Sequence, residues 1–221
     1  AFHTYTEGTS RPFDDGLMDA MDQVALKLCE EISGAQLAYV QSDEISVFVA
    51  DYKREKTQAW FGGNVQKMVS ISASLASVEM TLQSGDVFCG AGYHEASDLK
   101  PATFDSRVFV LPREDVVNYF VWRQQDWVRN SLQMLARSIF SHKELVDKNQ
   151  ADMHEMCFQK GHNWSKLATK YKRGRCVLKK EAHFSVPEGP QKGQIIKRPK
   201  WVIDHEIPTF AKDRSYIGDL V

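Results

Sequence analysis

Two adjacent carboxylates, Asp43 and Glu44, lie in a short polar break between two runs of β-branched and aromatic residues. The runs, residues 37–40 and 45–50, predict a strand, a tight turn and a returning strand, with the acids at the tip. Mg²⁺ is a hard cation that binds rigidly placed carboxylate oxygens, so this tip is a candidate metal site. A hairpin tip is also an ordinary place for solvated acids, and the short pattern alone favours that alternative.

The charge of the chain is unevenly distributed, although its net charge is only −1. Residues 1–50 carry nine acidic and two basic side chains, whereas residues 160–200 carry twelve lysines and arginines against two glutamates. This split indicates an acidic half for a cation and a basic half for a polyanion, although surface charge also drifts along ordinary chains. Trp164, Tyr171 and Trp201 lie among the bases, as aromatics do on many nucleic-acid surfaces.

The length and composition are those of a globular protein. At 221 residues, 43% of them apolar and 26% charged, the chain is one large domain or a domain with an appendage. No apolar run approaches membrane-spanning length, and the first residues lack a secretory pattern, so we expect a cytoplasmic protein without membrane contact. The four cysteines are widely spaced, which favours reduced thiols over a disulfide framework or a zinc site.

Helical and strand periodicities predict the elements that position these residues. Asp14 or Asp15 caps a helix that ends at Gly34, and Asn64 caps a second helix. The free N–H groups at the start of the second helix favour phosphate, and Lys67 lies in its first turn, although a lysine there is usually just solvated. The remaining predicted elements are a loop at 83–103, a strand at 104–111, helices at 114–140 and 149–160, a strand at 176–178, a loop at 185–200 and a strand at 201–203.

The helix predicted at 114–140 carries a polar stripe of Tyr119, Arg123, Asp126 and Asn130, spaced four, three and four residues apart. Side chains at this spacing share one helix face, which could contact RNA or a nucleotide, although spacing alone favours a solvated face. Together the elements predict an α+β domain with helices packed on one face of a mainly antiparallel sheet. That architecture suits a palm-type catalytic domain, although a fold does not determine function.

Several short motifs carry a more specific signal. They occur in order over roughly residues 1–180, and the acid hairpin together with the W-R-Q-x-D helix is a specific combination. The motifs are Phe2-His3, Arg11-Pro12-Phe13-Asp14, the segment from Ala38 to Glu44, Trp60-Phe61 with Lys67, the segments Phe104 to Val108 and Trp122 to Asp126, Gly161-His162-Asn163-Trp164, and Lys172-Arg173-Gly174. With these motifs the chain resembles the tRNA(His) guanylyltransferase family of 3′-to-5′ nucleotide-adding enzymes.

The resemblance implies a palm like that of polymerases and nucleotidyl cyclases. Residues 1–140 would form the catalytic domain, and residues 141–221 a small basic C-terminal appendage that contacts tRNA. The implied chemistry is phosphoryl transfer with two Mg²⁺ ions, in which GTP or ATP activates the tRNA 5′ end and the 3′-hydroxyl of an incoming nucleotide displaces the activating group. A homotetramer, built as a dimer of dimers with tRNA spanning subunits, is implied as well.

The resemblance also implies roles for individual residues. Asp43 and Glu44 would be the catalytic, metal-binding acids. The nucleotide would be bound by Ala1, Phe2, His3, Arg11, Asp14, Ser42, Asp43 and Lys67, with Ser42 donating to a phosphate. The tRNA would face Arg107, Arg123, Asn130, Lys172 and Arg173.

Two departures from the family pattern qualify these roles. The family's other metal-binding aspartate would lie just ahead of Ala1, so we expect an N-terminally shortened chain; a molecule that truly began at Ala1 would lose that ligand, a strand and most activity. Eukaryotic members carry His-x-Asn-Asn after the W-R-Q-x-D motif, whereas residues 127–131 read Trp-Val-Arg-Asn-Ser here. This indicates the bacterial, archaeal and phage branch, which is similar to template-dependent enzymes that repair truncated tRNA 5′ ends.

Two other functions stay open. A nucleotidyl cyclase shares the palm and the acid hairpin but needs no RNA surface, so the basic segment and the W-R-Q-x-D helix favour the tRNA enzyme. A non-catalytic RNA-binding module is the third possibility, which the missing aspartate would permit.

Overall fold

The computed structural model describes residues 2–52, 57–89, 100–185 and 195–221. The helices are α1 (Phe2–Tyr5), α2 (Asp15–Glu31), α3 (Val65–Cys89), α4 (Val116–Ile139), α5 (His142–Leu145), α6 (Gln150–Gln159), α7 (Thr169–Arg173) and α8 (Ser215–Gly218). The strands are β1 (Ala35–Gln41), β2 (Glu44–Val49), β3 (Arg175–Ser185) and β4 (Ile195–Asp204).

The strands form one antiparallel sheet in the order β2-β1-β3-β4. The predicted hairpin is confirmed, because β1 and β2 pair with Gln41 opposite Glu44. The central strand β1 is apolar at every position from Leu37 to Val40, and all four side chains are buried. Successive side chains of a strand point to opposite faces of the sheet, so a strand with four buried side chains in a row must be covered on both faces.

Two hydrophobic cores provide that cover. On one face α2 and α3 pack against Ala38 and Val40. On the other face, the start of α4 and the C-terminal residues, Phe210 among them, pack against Leu37 and Tyr39. The α+β prediction is confirmed, but the expectation of helices on one face only is wrong, because both sides of β1 carry large apolar groups that would otherwise be exposed to water.

The C-terminal region contributes half of the strands. β3 lies directly beside β1, and both β3 and β4 extend well beyond the predicted short strands at 176–178 and 201–203. Of the loop predicted at 185–200, residues 195–200 belong to β4, whereas 186–194 lie outside the described residues. Residues 141–221 therefore complete the sheet, and their separation as a functional region stays a prediction.

The segment from residue 100 to 111 lies alongside α3, and the strand predicted at 104–111 does not form. α3 itself continues to Cys89, well into the predicted loop. Between residues 100 and 104 every second backbone N–H is donated to a hydroxyl on α3: Lys100 to Ser84 at 2.8 Å, Ala102 to Thr81 at 3.0 Å and Phe104 to Ser77 at 2.9 Å. Period two predicted a strand at 104–111, but the hydrogen-bonding partner of residues 100–104 is a helix and not a sheet.

No helix within the described ranges is long and apolar enough to cross a bilayer.

Gly174, which connects α7 to β3, provides a stability prediction. It has a φ of +82°, and a Cβ there would lie 2.6 Å from the Val40 carbonyl oxygen and 2.8 Å from the Tyr39 ring. We expect Gly174→Ala to lower the free energy of unfolding by about 2–3 kcal/mol, since backbone strain and a clash with a buried strand add together. Urea unfolding followed by circular dichroism measures the loss.

The matched control is Gly161→Ala. Gly161 has a similar φ of +86°, but no heavy atom of the described part of the chain lies within 4 Å of its added Cβ. Its substitution should cost about 1 kcal/mol, the strain term alone. Equal losses at the two positions would show that the close approach to β1 contributes nothing.

Candidate active site

The tip of the β1–β2 hairpin is a two-residue turn that carries Asp43, and Glu44 is the first residue of β2. Ser42 and Asp43 connect the last β1–β2 pair, and Ser42 has the left-handed φ of 46°. Such a conformation is uncommon for a residue other than glycine and is found preferentially at functional sites. The Asp43 side chain is exposed and makes no hydrogen bond or ion pair with any residue that the structure describes.

Glu44 is held much more tightly than Asp43. Its Oε2 accepts a hydrogen bond of 2.8 Å from Gln41 Nε2 and is also bonded by the Arg123 guanidinium of α4. The second guanidinium nitrogen of Arg123 lies 3.3 Å from Asp126 Oδ2. A hydrogen bond of 2.9 Å between Ser46 and Tyr119 joins the same two elements. The hairpin is thus fastened to one face of α4.

That face is the polar stripe recognised in the sequence. Tyr119, Arg123, Asp126 and Asn130 all lie on it, and Asn130 Nδ2 is 3.5 Å from Asp126. Arg123 is only 9% exposed, so the solvated-face interpretation that spacing favoured is wrong for this residue. The carboxylates of Glu44 and Asp126 compensate its buried charge, as burial of a guanidinium requires.

A cleft of about 240 Å³ lies between the hairpin tip and α4. The candidate residues Ser42, Asp43, Glu44, Arg123 and Asn130 line it. Sequence reasoning missed the other five lining residues, which are Gln41, Trp127, Gln133, Met134 and Arg137. The helical spacing of the polar stripe, continued past Asn130, would have found three of these, Gln133, Met134 and Arg137.

The acids could hold a divalent cation through oxygens that remain available. Asp43 offers its whole carboxylate, and Glu44 offers Oε1, since both of its hydrogen bonds fall on Oε2. The described residues contain no cluster of three or more His, Cys, Asp or Glu side chains suited to a metal. Mg²⁺ ordinarily binds one or two carboxylates and completes its shell with water and substrate phosphates, so the pair fits such an ion.

Of the predicted nucleotide-binding residues, Ser42 and Asp43 line this cleft, whereas Arg11, Asp14 and Lys67 do not. Asp14 caps α2, accepting from Leu17 N and Ser10 N at 2.8 Å each, so its carboxylate has a structural role that the family motif did not reveal. Lys67 lies in the first turn of α3, where Asn64 accepts from its backbone N–H at 3.0 Å, as the capping prediction requires. Arg11 is exposed.

Three further predicted nucleotide-binding residues cannot be placed. Ala1 lies outside the described residues, and so do the side chains of Phe2 and His3.

The predicted tRNA-facing residues separate into two groups. Arg123 and Asn130 lie in the cleft, whereas Arg107 is exposed and paired with Asp105 at 3.2 Å. Lys172 donates to the Ser165 carbonyl at 2.6 Å, and burial lowers the pKa of its ammonium group. Arg173 Nη1 lies 3.4 Å from the Ile207 carbonyl. Both bases of the Lys172-Arg173 motif therefore also stabilise the local fold.

Acids on a sheet hairpin that face a cationic helix are suited to phosphoryl transfer between nucleotides. The protein is a palm-type nucleotidyltransferase. The chain belongs to the tRNA(His) guanylyltransferase family. The family model described as "Thg1: tRNAHis guanylyltransferase" matches residues 1–112. The resemblance inferred from the motifs is therefore confirmed.

Solved structures support this membership over the full chain. A bacterial tRNA(His) guanylyltransferase (Thg1)-like protein in complex with ATP is 39% identical, with a TM-score of 0.84 over 100% of this chain and 85% of the other. The bacterial Thg1-like protein in complex with GTP is 36% identical, with a TM-score of 0.79 over 99% and 84% of the two chains. The probable tRNA(His) guanylyltransferase of Dictyostelium discoideum is 26% identical over 219 residues, 93% of this chain and 80% of the relative.

Proposed function

We propose that the protein adds nucleotides in the 3′-to-5′ direction to the 5′ end of tRNA, with GTP or ATP as substrate and activator. Asp43 is the observation that carries the proposal. Its carboxylate, which has no partner among the described residues, lies beside the fixed carboxylate of Glu44 on the wall of a cleft that also contains Arg137. Phosphoryl transfer from a triphosphate needs oxygens that bind a cation and, opposite them, a basic side chain that binds phosphate.

In the proposed mechanism Asp43 and Glu44, together with substrate oxygens, would hold two Mg²⁺ ions. Such ions would lower the pKa of the attacking hydroxyl and neutralise the leaving phosphates. The chain itself orients the reactants: the Ser42 hydroxyl donates to a phosphate, and Arg137 and Asn130 contact the RNA end across the cleft. Lys67, exposed at the N-terminus of α3, binds the triphosphate of a nucleotide.

Repair of truncated tRNA is the more specific activity that we favour over untemplated G addition to tRNA(His). Residues 127–131 lack the His-x-Asn-Asn element of the eukaryotic members. The bacterial Thg1-like protein with ATP is 39% identical to this chain, whereas a Saccharomyces cerevisiae tRNA(His) guanylyltransferase structure is 16% identical. The latter likeness, with a TM-score of 0.61, concerns the fold alone.

The test is an assay on a tRNA that lacks its first 5′ nucleotide. With ATP, Mg²⁺ and each of the four nucleoside triphosphates in turn, we expect extension only by the nucleotide that pairs with the opposing base. Extension regardless of pairing would contradict repair while preserving nucleotide addition. A cyclic product from GTP without RNA would support the cyclase alternative, and absence of any metal-dependent nucleotide binding would support the RNA-binding module.

The Lys172-Arg173 motif provides a prediction about the RNA surface. Changing both residues to glutamine should weaken tRNA binding several-fold and reduce the slope of log K against log salt by about one to two, since each lost phosphate contact removes about 0.9 from the slope. Filter binding at salt concentrations from about 50 to about 200 mM measures the affinity and its slope. Lys27→Gln, which breaks an exposed α2 pair with Glu31, is the control. An unchanged slope would remove the motif from the RNA surface.

We also propose a homotetramer, built as a dimer of dimers, in the cytoplasm. The support is the family resemblance together with large exposed apolar side chains on α3, namely Ile71, Val78 and Leu82. Such apolar patches often mark protein interfaces. Light scattering should give four times the mass of one chain, and a monomer mass at micromolar concentration would contradict the assembly.

A further inference from the structure

The Glu44 carboxylate is bound asymmetrically. Gln41 Nε2 donates to Oε2 at 2.8 Å, and Arg123 Nη2 bonds the same oxygen. Within the described part of the chain, Oε1 accepts no hydrogen bond. One oxygen is therefore tied to the protein, while the other is available beside the unpaired carboxylate of Asp43.

Arg123 has the rigidity that this arrangement requires. Arg123 is 9% exposed, although the Glu44 side chain that it binds is 57% exposed. Asp126 holds the other nitrogen of the guanidinium at 3.3 Å, and the Trp122 ring lies 4.8 Å from its central carbon. A planar guanidinium held on two sides places its N–H groups in a fixed direction, whereas a lysine would not.

We propose that Arg123 is a positioning residue for the metal site and not a contact for tRNA. By fixing Oε2 it directs Oε1 of Glu44, together with Asp43, toward the cation. Without it Glu44 would rotate among the conformations open to an exposed side chain, and the cation would bind in a less defined geometry. The inference rests on the proposed function in that it takes Asp43 and Glu44 to hold the cation.

The test compares Arg123→Met, Arg123→Lys and the control Arg129→Met. Arg129 is a matched control because it also pairs with Asp126, at 2.7 Å, but does not line the cleft. Mn²⁺ serves as the probe, because its electron paramagnetic resonance spectrum reports both the amount bound and the geometry of its ligands. Nucleotide addition to truncated tRNA, with separate kcat and KM values for ATP, is measured in parallel.

For Arg123→Met we expect kcat to fall about a hundredfold with KM within about threefold, the usual effect of a small misplacement of reacting groups. Mn²⁺ should bind as tightly or a few-fold more tightly, because a positive charge next to the acids is gone. Its line shape should change. Arg123→Lys should recover part of kcat, and Arg129→Met should match the unmodified protein in line shape and within about twofold in kcat.

Several outcomes would overturn the proposal. They are an unchanged Mn²⁺ line shape, an unchanged kcat, loss of Mn²⁺ affinity together with thermal stability (which would indicate a structural role only), or no Mn²⁺ binding by the unmodified protein. Failure of the proposed function looks different. The unmodified protein would then bind Mn²⁺ but add no nucleotide, and the line shapes of the variants would still decide the role of Arg123.

Discussion

Changing Asp43 to asparagine is expected to reduce nucleotide addition more than a hundredfold, roughly the effect of removing one preorganised electrostatic group, while the fold is retained. The reason is electrostatic. A neutral amide keeps the size of the side chain but no longer attracts a divalent cation. Stability should change little, because the Asp43 side chain is exposed and forms no bond with another described residue.

Single-turnover addition to a truncated tRNA measures the rate, and the melting temperature measures the fold. Asp19→Asn is the control, since Asp19 is an exposed acid on α2 whose loss changes the net charge equally. Nucleotide addition that survives Asp43→Asn within about tenfold would falsify the assignment of the metal site. A parallel fall in the control would point to net charge instead of a specific ligand.

The largest stability effect should follow from Arg175→Met. Arg175 and Asp22 are both essentially inaccessible, with Arg175 Nε 2.6 Å from Asp22 Oδ1 and His205 Nε2 3.2 Å from Asp22 Oδ2. Burial raises the pKa of Asp22, against the opposing effect of Arg175 and His205. Removing the guanidinium leaves a buried carboxylate without its main partner, which should lower the free energy of unfolding by about 3–5 kcal/mol.

The double variant Asp22→Asn/Arg175→Met tests the mechanism. It leaves no buried charge, so chemical unfolding should show a large part of the loss recovered, and the measured coupling should exceed 1 kcal/mol, roughly. Arg175 Nη1 is buried and has no hydrogen-bond partner among the residues that the structure describes, which is a further reason why the apolar replacement is tolerable. Additive losses would mean that the arginine stabilises the fold through packing and not through the ion pair.

Part of the site was predictable because it depends on residues close together in the chain. The hairpin follows from two apolar runs around a polar break, and the turn necessarily carries Asp43 at its tip. The helical repeat likewise put Arg123 and Asn130 on one face of α4. Caps at Asp14 and Asn64 form as their residue types predict, each accepting from the first turn of its helix. Local periodicity and capping chemistry need no distant partner.

Family motifs added functional roles that local patterns cannot supply, and the structure places the residues with these roles in different surroundings. Asp43 and Glu44 line one cleft with Asn130, as the implied site requires, whereas the Asp14 carboxylate is used by a helix cap. A family motif indicates that a residue type is typical of a position, but it does not indicate which atoms that residue contacts. The contacts in the folded protein show that the Asp14 carboxylate caps a helix, while the Asp43 carboxylate lines the cleft.

The tertiary structure alone decided how distant segments meet. β3 pairs with β1 across more than a hundred residues of chain, and Arg123 reaches Glu44 across 79. Period two predicted a strand at 104–111, yet α3 hydroxyls accept from the N–H groups of Lys100, Ala102 and Phe104. Periodicity shows which side chains share a face, but it contains no information about what that face will contact. The sequence by itself therefore determined the acid tip and the polar helix face, and long-range packing determined that they form one site.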